Sequence, residues 1–345
     1  MSSVKASRAT GRATISDVAQ LAKTGKTSVS RYLNGEQHLL SDPLKQRIEQ
    51  AILQLDYRPS QMARSLKGGQ TRLIGLIIAD ITNPYSVDVM RGIEAACRQH
   101  GFTLLVCNTN NEVNQEQHYL QLLSSYRVEG IVVNAVGMRE EALSQLQQSQ
   151  LPMVLIDRKI PDFACDVVGL NNHEATVIAT EHLVQQGFEA ILFLSEPVGT
   201  VNTRLERLHA FRQIMTQQHA DLIAEQAETP LNDAAQLEQT LRDFHTRRRG
   251  MRKAVLSANG ALTLQVARAM RRLGIHWGSD IGLLGFDELE WAELAGVGIT
   301  TLKQPTYQIG HAALEQLVQR IQGRDAPPDE RVFSGELIVR GSTTR

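Results

Sequence analysis

Cysteine is scarce in this chain: Cys97, Cys107 and Cys165 are the only three in 345 residues. An odd number at wide spacing excludes a disulfide framework and any cysteine-based metal motif, and fits a reducing cytoplasm. Long apolar runs are missing too. The longest, Leu73–Ala79, stops at Asp80, whereas a membrane-spanning helix needs about 20 apolar residues. Positive charges near the N-terminus are not followed by an apolar stretch, so no signal peptide is expected. The chain also lacks G-x-G-x-x-G, Walker A, H-E-x-x-H and G-x-S-x-G signatures, and its ten histidines show no metal-ligand spacing. No enzymatic activity, cofactor, metal or membrane partner is therefore expected.

What is present is an uneven distribution of charge. The whole chain has a formal net charge of −1. From Met1 to Arg72, however, 12 Lys+Arg stand against 5 Asp+Glu, a net of +7, which leaves −8 on the remainder. A basic module that meets a polyanion, joined to an acidic solvated body, is the physical reading. A second basic run, Arg247-Arg248-Arg249 with Arg252 and Lys253, precedes an expected strand and reads as a solvated connection. At roughly 100–200 residues per domain the length predicts two or three domains. The 42% hydrophobic fraction is ample for packed cores.

Residues 1–13 form a basic, Ser- and Gly-containing tail expected to be flexible. Ile15, Val18, Ala19 and Ala22 recur at helical spacing. Val29, Tyr32 and Leu33 suggest a second short helix, and Leu44, Ile48, Ala51, Ile52 and Leu55 a third. Ser41 or Asp42 would cap the third helix, and Tyr57-Arg58-Pro59 would end it. Three short helices in a basic segment describe a helix-turn-helix over 14–59, although a plain three-helix bundle with a solvated basic face fits the same pattern. A brief helix over 60–67 precedes Gly68-Gly69, which marks a linker over 60–71. Beyond residue 72 short apolar runs alternate with amphipathic stretches. Strands are expected at 73–79, 103–107, 130–134, 153–156, 190–194, 254–257, 281–285 and 337–339. Helices are expected at 86–100, 113–127, 140–149, 173–186, 203–218, 233–247, 261–273 and 306–322. This is an α/β core with doubly wound parallel sheets. A long irregular stretch near its middle favours two lobes, an N-lobe of about 72–168 and 303–325 and a C-lobe of about 169–302 and 326–345.

Four ordered blocks sharpen the head. They are Thr14-Ile15-Ser16-Asp17-Val18-Ala19, Ser28-Val29-Ser30-Arg31-Tyr32-Leu33-Asn34-Gly35, Leu55-Asp56-Tyr57-Arg58-Pro59 and Ala63-Arg64-Ser65-Leu66. Together they resemble the headpiece of the LacI/GalR family of transcriptional regulators. The resemblance implies that Ser16, Lys26, Thr27, Ser30, Arg31, Asn34 and His38 meet double-stranded operator DNA. It also implies that 60–67 is a hinge helix, with Ala63 and Leu66 in the minor groove and Leu66 as a wedge. One block departs from the family. Where Ala-Gly-Val-Ser is usual, this chain has Ala22-Lys23-Thr24-Gly25. Lys23 replaces the glycine that supplies a left-handed conformation, so the turn is expected to be rebuilt around Gly25.

The body is similar to the periplasmic-binding-protein-like core of the same family. The matches include Asp80-Ile81-Thr82-Asn83-Pro84-Tyr85, Ile156-Asp157-Arg158, Gly285-Phe286-Asp287 and Leu337-Ile338-Val339-Arg340-Gly341-Ser342. In open α/β sheets ligands bind beyond the carboxyl ends of strands. Tyr85, Asn111, Asn134, Asp157, Arg158, Arg207, Asn259 and Asp287 are the polar residues so placed, and are the candidate effector contacts. Asp157 and Asp287 could instead cap the loops that follow, Asn134 and Asn259 be turn residues, Arg158 a surface salt bridge and Tyr85 plain core. Overall similarity points to the gluconate- and 2-ketogluconate-responsive members. The expected function is thus a cytoplasmic, homodimeric repressor released from a pseudo-palindromic operator by a sugar acid, 2-ketogluconate first. A neutral sugar effector, a corepressor mode and a sugar-binding transport protein stay open as alternatives.

Overall fold

The computed structural model describes residues 13–58, 70–137, 150–160, 162–199 and 201–344. The expected hinge helix with Ala63 and Leu66, and the helix expected over 140–149, lie outside the described residues. Backbone contacts divide the chain into two units, Met1–Thr71 and Arg72–Arg345.

In the first unit α1 (Ile15–Leu21) begins at a reciprocal cap. Thr14 Oγ1 accepts from the Asp17 N–H at 3.4 Å, and the Asp17 carboxylate accepts from the Thr14 N–H at 2.7 Å. Two orphan N–H groups are thereby satisfied at the helix start. These bonds hold the Asp17 carboxyl below the usual range. α2 (Lys26–Leu33), a 3₁₀ turn at Gln37–Leu39 and α3 (Asp42–Gln54) follow. Val18, Ala19, Ala22, Val29, Leu40, Ile48 and Ala51 close a small core. The turn between α1 and α2 corrects the expectation of a rebuilt loop. Lys23 itself takes the left-handed conformation (φ 48), and the Thr24 N–H donates to Ala19 O at 2.9 Å. Gly25 has an ordinary extended conformation (φ −83, ψ 154) and caps α2 without a side-chain bond. The turn keeps its shape because lysine bears a backbone strain of about 1 kcal/mol that glycine would avoid.

The second unit contains two six-stranded sheets. The first uses β1 (Leu73–Ile78), β2 (Thr103–Asn108), β3 (Gly130–Val133), β4 (Met153–Ile156), β5 (Asp166–Leu170) and β11 (Glu330–Phe333) in the order β11-β5-β4-β3-β1-β2, all parallel. The second uses β6 (Ala190–Ser195), β7 (Ile223–Glu228), β8 (Lys253–Ser257), β9 (Gly282–Phe286), β10 (Thr300–Lys303) and β12 (Glu336–Ile338) in the order β12-β10-β9-β8-β6-β7. Only β12 runs antiparallel there. The two orders correspond position by position. The expected lobe boundaries need correction: β5 extends the first lobe to Leu170, and β11, placed by expectation in the C-lobe, pairs with β5.

Helices cover the faces of these sheets. α4 (Pro84–Gln99) and α11 (Thr306–Ile321) pack on one side of the first sheet, with Val89, Ile93, Ile309 and Ala313 fully buried. Leu120 and Leu123 of α5 (Val113–Ser125) face its other side. α6 (Asn172–Gln185) and α7 (Asn202–Gln217) flank the second sheet opposite α8 (Ala234–Arg247) and α9 (Gly260–Leu273). A short α10 (Glu290–Leu294) follows β9. No described helix is long and apolar enough to cross a membrane.

Candidate functional site

Two sites emerge, one in each unit. In the head, Val29 faces the core while Lys26, Thr27, Arg31 and Asn34 are exposed on the other side of α2, with Ser30 half-buried. His38 is exposed in the following 3₁₀ turn, and Ser16 is half-buried on α1. Among the described residues no ion pair engages Lys26 or Arg31. Their charge is therefore uncompensated among the described residues of the head, which suits phosphates and guanine edges. The second basic run differs. Arg247 and Arg248 both bond Glu225 at 2.7 Å, and Arg252 lies over the Phe188 ring at 4.6 Å.

In the body, polar residues converge where strand ends of the two lobes meet. Asp157 directly follows β4 in a left-handed conformation (φ 64), its N–H bonded to Val168 O of β5 at 3.0 Å. Asp287 directly follows β9 in the same conformation (φ 71), its N–H bonded to Leu302 O of β10 at 3.0 Å. Asp287 is fully engaged: Gly260 N–H donates to Oδ2 at 2.8 Å and Gln304 Nε2 to Oδ1 at 2.6 Å. Asp157 has the Asn134 amide and a distant Arg158, 3.9 Å away. Burial pushes the Asp157 carboxyl up, against the pull of Arg158 and Arg207.

Tyr85 is the second residue of α4, whose N-cap Asn83 accepts the Tyr85 N–H at 3.1 Å. Its hydroxyl is buried without a partner. Burial raises that hydroxyl's pKa well above the usual value, and Asp157 and Asp287 push it further while Arg207 and Arg158 oppose them. Tyr85, Asp157, Arg158, Arg207 and Asp287 are thus within one electrostatic neighbourhood. Asn134 follows β3, 5% exposed, with Oδ1 unpartnered. Arg207 is 5% exposed. Its Nε donates to Asn172 Oδ1 at 2.8 Å, its Nη1 to Ala258 O at 2.5 Å, and its face rests on Phe286 at 4.2 Å. Tyr85, Asp287 and Gln304 line a cavity of about 930 Å³ together with Asp88, Trp291 and Tyr307; Asn134, Asp157, Arg158 and Arg207 are not among its lining residues. That volume suits a small polar ligand.

Two expected residues fall outside this cluster. Asn111 is exposed in the turn after β2 (φ 60), its N–H held by Ala79 O at 2.8 Å. Asn259 caps α9 through Leu262 N–H at 2.9 Å and donates to Glu196 at 2.8 Å, so both ends of its side chain are engaged. Sequence reasoning missed Asn172 and Gln304, which directly follow the unrecognised strands β5 and β10 by one or two residues. It also missed Lys159. The Lys159 N–H bonds Asn202 Oδ1 of α7 at 2.9 Å, and its Nζ approaches Glu330 at 2.7 Å and Glu206 at 3.5 Å. The loop carrying Asp157 is thereby tied to the helix carrying Arg207.

Comparisons with known proteins agree with this architecture. Residues 14–60 match the model of bacterial regulatory proteins of the lacI family, and 180–343 match a periplasmic binding protein-like domain. The chain is 46% identical over 335 residues to the HTH-type transcriptional regulator PtxS of Pseudomonas aeruginosa, with 96% of both chains covered. It is 37% identical to the HTH-type transcriptional regulator KdgR of Bacillus subtilis, covering 97% of this chain and 99% of that one. The fold is similar to a Lac repressor dimer bound to operator and the anti-inducer ONPF, with a TM-score of 0.82 at 24% identity over 97% of this chain and 100% of that one. With a helix-turn-helix head, a two-lobed α/β body and full-length relatives of this kind, the chain belongs to the lacI family of bacterial transcriptional regulators.

Proposed function

We propose that the chain is a homodimeric repressor that leaves a pseudo-palindromic operator when a sugar acid, 2-ketogluconate first, fills the chamber between its lobes. The observation that carries this reading is the set of buried polar atoms without partners: Tyr85 Oη, Asn134 Oδ1, Arg158 Nε and Gln304 Oε1. Buried donors and acceptors without bonds are costly, and a polyol supplies hydroxyls for each. Asp157 adds a further acceptor, and two arginines add the positive charge an acid requires. The resemblance to gluconate- and 2-ketogluconate-responsive regulators points the same way.

On the DNA side, Lys26, Thr27, Ser30 and Arg31 read the major groove. Ser16, Asn34 and His38 hold the backbone, and Ala63 and Leu66 enter the minor groove. Tyr85, Asn134, Asp157, Arg158, Arg207 and Asp287 surround the effector, with Asn111 and Asn259 at its margin. The ligand acts only through a difference in affinity between two lobe arrangements. By linkage, operator weakens effector binding by the same factor that effector weakens operator binding.

A gel shift on DNA upstream of neighbouring sugar-utilisation genes, at recorded salt, tests the DNA half. Shifted DNA that is released by 2-ketogluconate supports the reading, whereas a shift that requires ligand reverses its sign. Calorimetry with 2-ketogluconate, gluconate, glucose and ribose tests the effector half, and heat from neutral sugars alone overturns the acid.

A further inference from the structure

The loop after β4 carries three consecutive charged residues, Asp157, Arg158 and Lys159, and the third makes contacts that the first two do not. The Lys159 N–H donates to Asn202 Oδ1 at 2.9 Å. Its ammonium lies between two carboxylates, 2.7 Å from Glu330 Oε1 and 3.5 Å from Glu206 Oε1. Burial works against that charge, yet Glu330 and Glu206 outweigh it and hold the ammonium's pKa above the usual value. Lys159 is therefore charged throughout the physiological range.

The two carboxylates belong to different lobes. Glu330 is the first residue of β11, which pairs with β5 in the sheet that also contains β4. Glu206 stands on α7, which flanks the other sheet. Glu330 thus travels with Lys159, whereas Glu206 and Asn202 travel with the second lobe. A change of lobe arrangement alters the Lys159–Glu206 separation and leaves the Lys159–Glu330 pair as it is. The ammonium always keeps a partner on its own side, so releasing Glu206 strands no cation.

Beyond this contact the bonds continue to Arg207. Glu206 Oε2 accepts Asn172 Nδ2 at 2.9 Å, and Asn172 Oδ1 accepts Arg207 Nε at 2.8 Å. Asn202 Nδ2 donates to Glu206 Oε1 at 3.3 Å, so the amide that receives the Lys159 N–H is itself oriented. At the cavity the lobes stand apart. Its wall takes Asp88 and Tyr307 from the first lobe and Glu290 and Trp291 from the second, and neither Lys159, Asn202 nor Glu206 is part of it. The lobes therefore have room to move against each other, and Lys159 is a point where they are tied.

Resting on the reading that effector and operator prefer different lobe arrangements, we infer that Lys159 is a positioning residue that couples the two. Its ion pair with Glu206 stabilises the arrangement seen here, and Glu330 competes for the same ammonium. The balance between the two carboxylates sets the resting ratio of the arrangements.

The test is Lys159→Met in the full chain, which keeps the stem and the backbone bond but removes the charge. Operator affinity is measured without ligand. Effector affinity is measured by calorimetry with whichever of 2-ketogluconate, gluconate, glucose and ribose binds wild type. One affinity should fall and the other rise. For ligands that discriminate strongly, the factor lost times the factor gained equals the change in the resting ratio. A partly exposed ion pair implies about two- to fivefold for that product. Glu330→Gln frees the ammonium for Glu206 and should move both affinities the other way, which a purely structural salt bridge would not do. Both effects shrink at high ionic strength, because the three side chains are 35–48% exposed. Affinities that stay at wild-type values in Lys159→Met, or that fall together in both variants, overturn the coupling role. If wild type binds none of the four sugars, the sugar reading fails on its own, and amide exchange in residues 157–160 decides the coupling. Faster exchange in Lys159→Met with slower exchange in Glu330→Gln supports it; exchange that is unchanged, or faster in both, overturns it.

Discussion

Gly92 and Gly310 allow α4 and α11 to cross at backbone contact, and alanine at either place should separate them. A Cβ on Gly92 would lie 2.1 Å from Tyr307 O, and one on Gly310 would lie 2.0 Å from Val89 O. The contact is reciprocal: the carbonyl of each helix rests against the glycine of the other. Ordinary contact begins near 3.4 Å, so the shortfall is about 1.3 Å, and it is met by backbone that cannot rotate away. Helix propensity alone would make Gly92→Ala stabilising by about 1 kcal/mol. Overpacking costs about 1–3 kcal/mol where side chains can adjust, and more where they cannot.

Separating the helices also loosens Val89, Ile93, Ile309 and Ala313, all buried at this crossing. The net expectation is a loss of about 3 kcal/mol, or roughly 6 °C in melting temperature for a unit of this size. Thermal unfolding of the full chain followed by circular dichroism measures it. Gly25→Ala is the control: its Cβ meets nothing within 4 Å, and it should stay within about 0.5 kcal/mol of wild type. Because Tyr85 stands at the start of α4 and Gln304 just before α11, Gly92→Ala should also weaken effector binding. A Gly92→Ala protein that melts at or above wild type, as propensity alone predicts, refutes the close-contact argument.

Two further outcomes follow from the same structure. In the head, Lys23→Gly relieves the left-handed lysine and Gly25→Ser adds the missing cap, so the pair should raise the stability of residues 13–58 by about 1 kcal/mol, read as slower amide exchange there; unchanged exchange refutes it. In the body, burial pushes the Asp166 carboxyl up, but two bonds from Arg320 at 2.7 and 2.8 Å and one from the Asp329 N–H hold it below the ordinary 3.8. A depressed folded value means stability is present above pH 3.8 and lost as pH falls below it. Melting temperature should therefore fall in that acid window, and fall less in Asp166→Asn; equal acid sensitivity in both proteins would count against the ion pair.

The described helices other than the short α10, which was not expected, were legible because their apolar residues recur on one face, and their observed ends differ from expectation by two residues or fewer in the body. Central strands such as β1, β4 and β8 were legible as short runs that are buried almost throughout. The missed strands are of another kind. β7 reads Ile-Ala-Glu-Gln-Ala-Glu and β11 reads Glu-Arg-Val-Phe; both are sheet edges whose outer face meets water, so polar residues break the apolar run. β10 begins with two threonines that are buried, with Thr300 Oγ1 donating to Arg340 O at 3.0 Å. Missing β11 displaced the lobe boundary, and missing β5 and β10 hid Asn172 and Gln304. Lys23 was misjudged differently: a local penalty was taken as decisive, whereas the packing of α1 against α2 holds the turn.

The correspondence between the two sheets supplies a final, matched comparison. β4 and β9 occupy the same place in their sheets, and each is followed by an aspartate with φ between 64 and 71 whose N–H bonds the neighbouring strand. Substituting alanine at either position incurs the same left-handed strain and keeps the same backbone bond, so the difference between the variants isolates the carboxylates. Asp287→Ala strands the Gly260 N–H and the Gln304 amide in the interior, at about 1–3 kcal/mol for each unsatisfied group. Asp157→Ala loses one Asn134 bond and removes a charge that burial disfavours. Asp287→Ala should therefore melt several degrees lower than Asp157→Ala. Asp157→Ala should instead keep most of its stability and lose the thermal shift that effector produces, because its carboxylate is the one left open to ligand. If the two variants are equally destabilised and equally responsive to effector, the division between a structural aspartate and a binding aspartate fails.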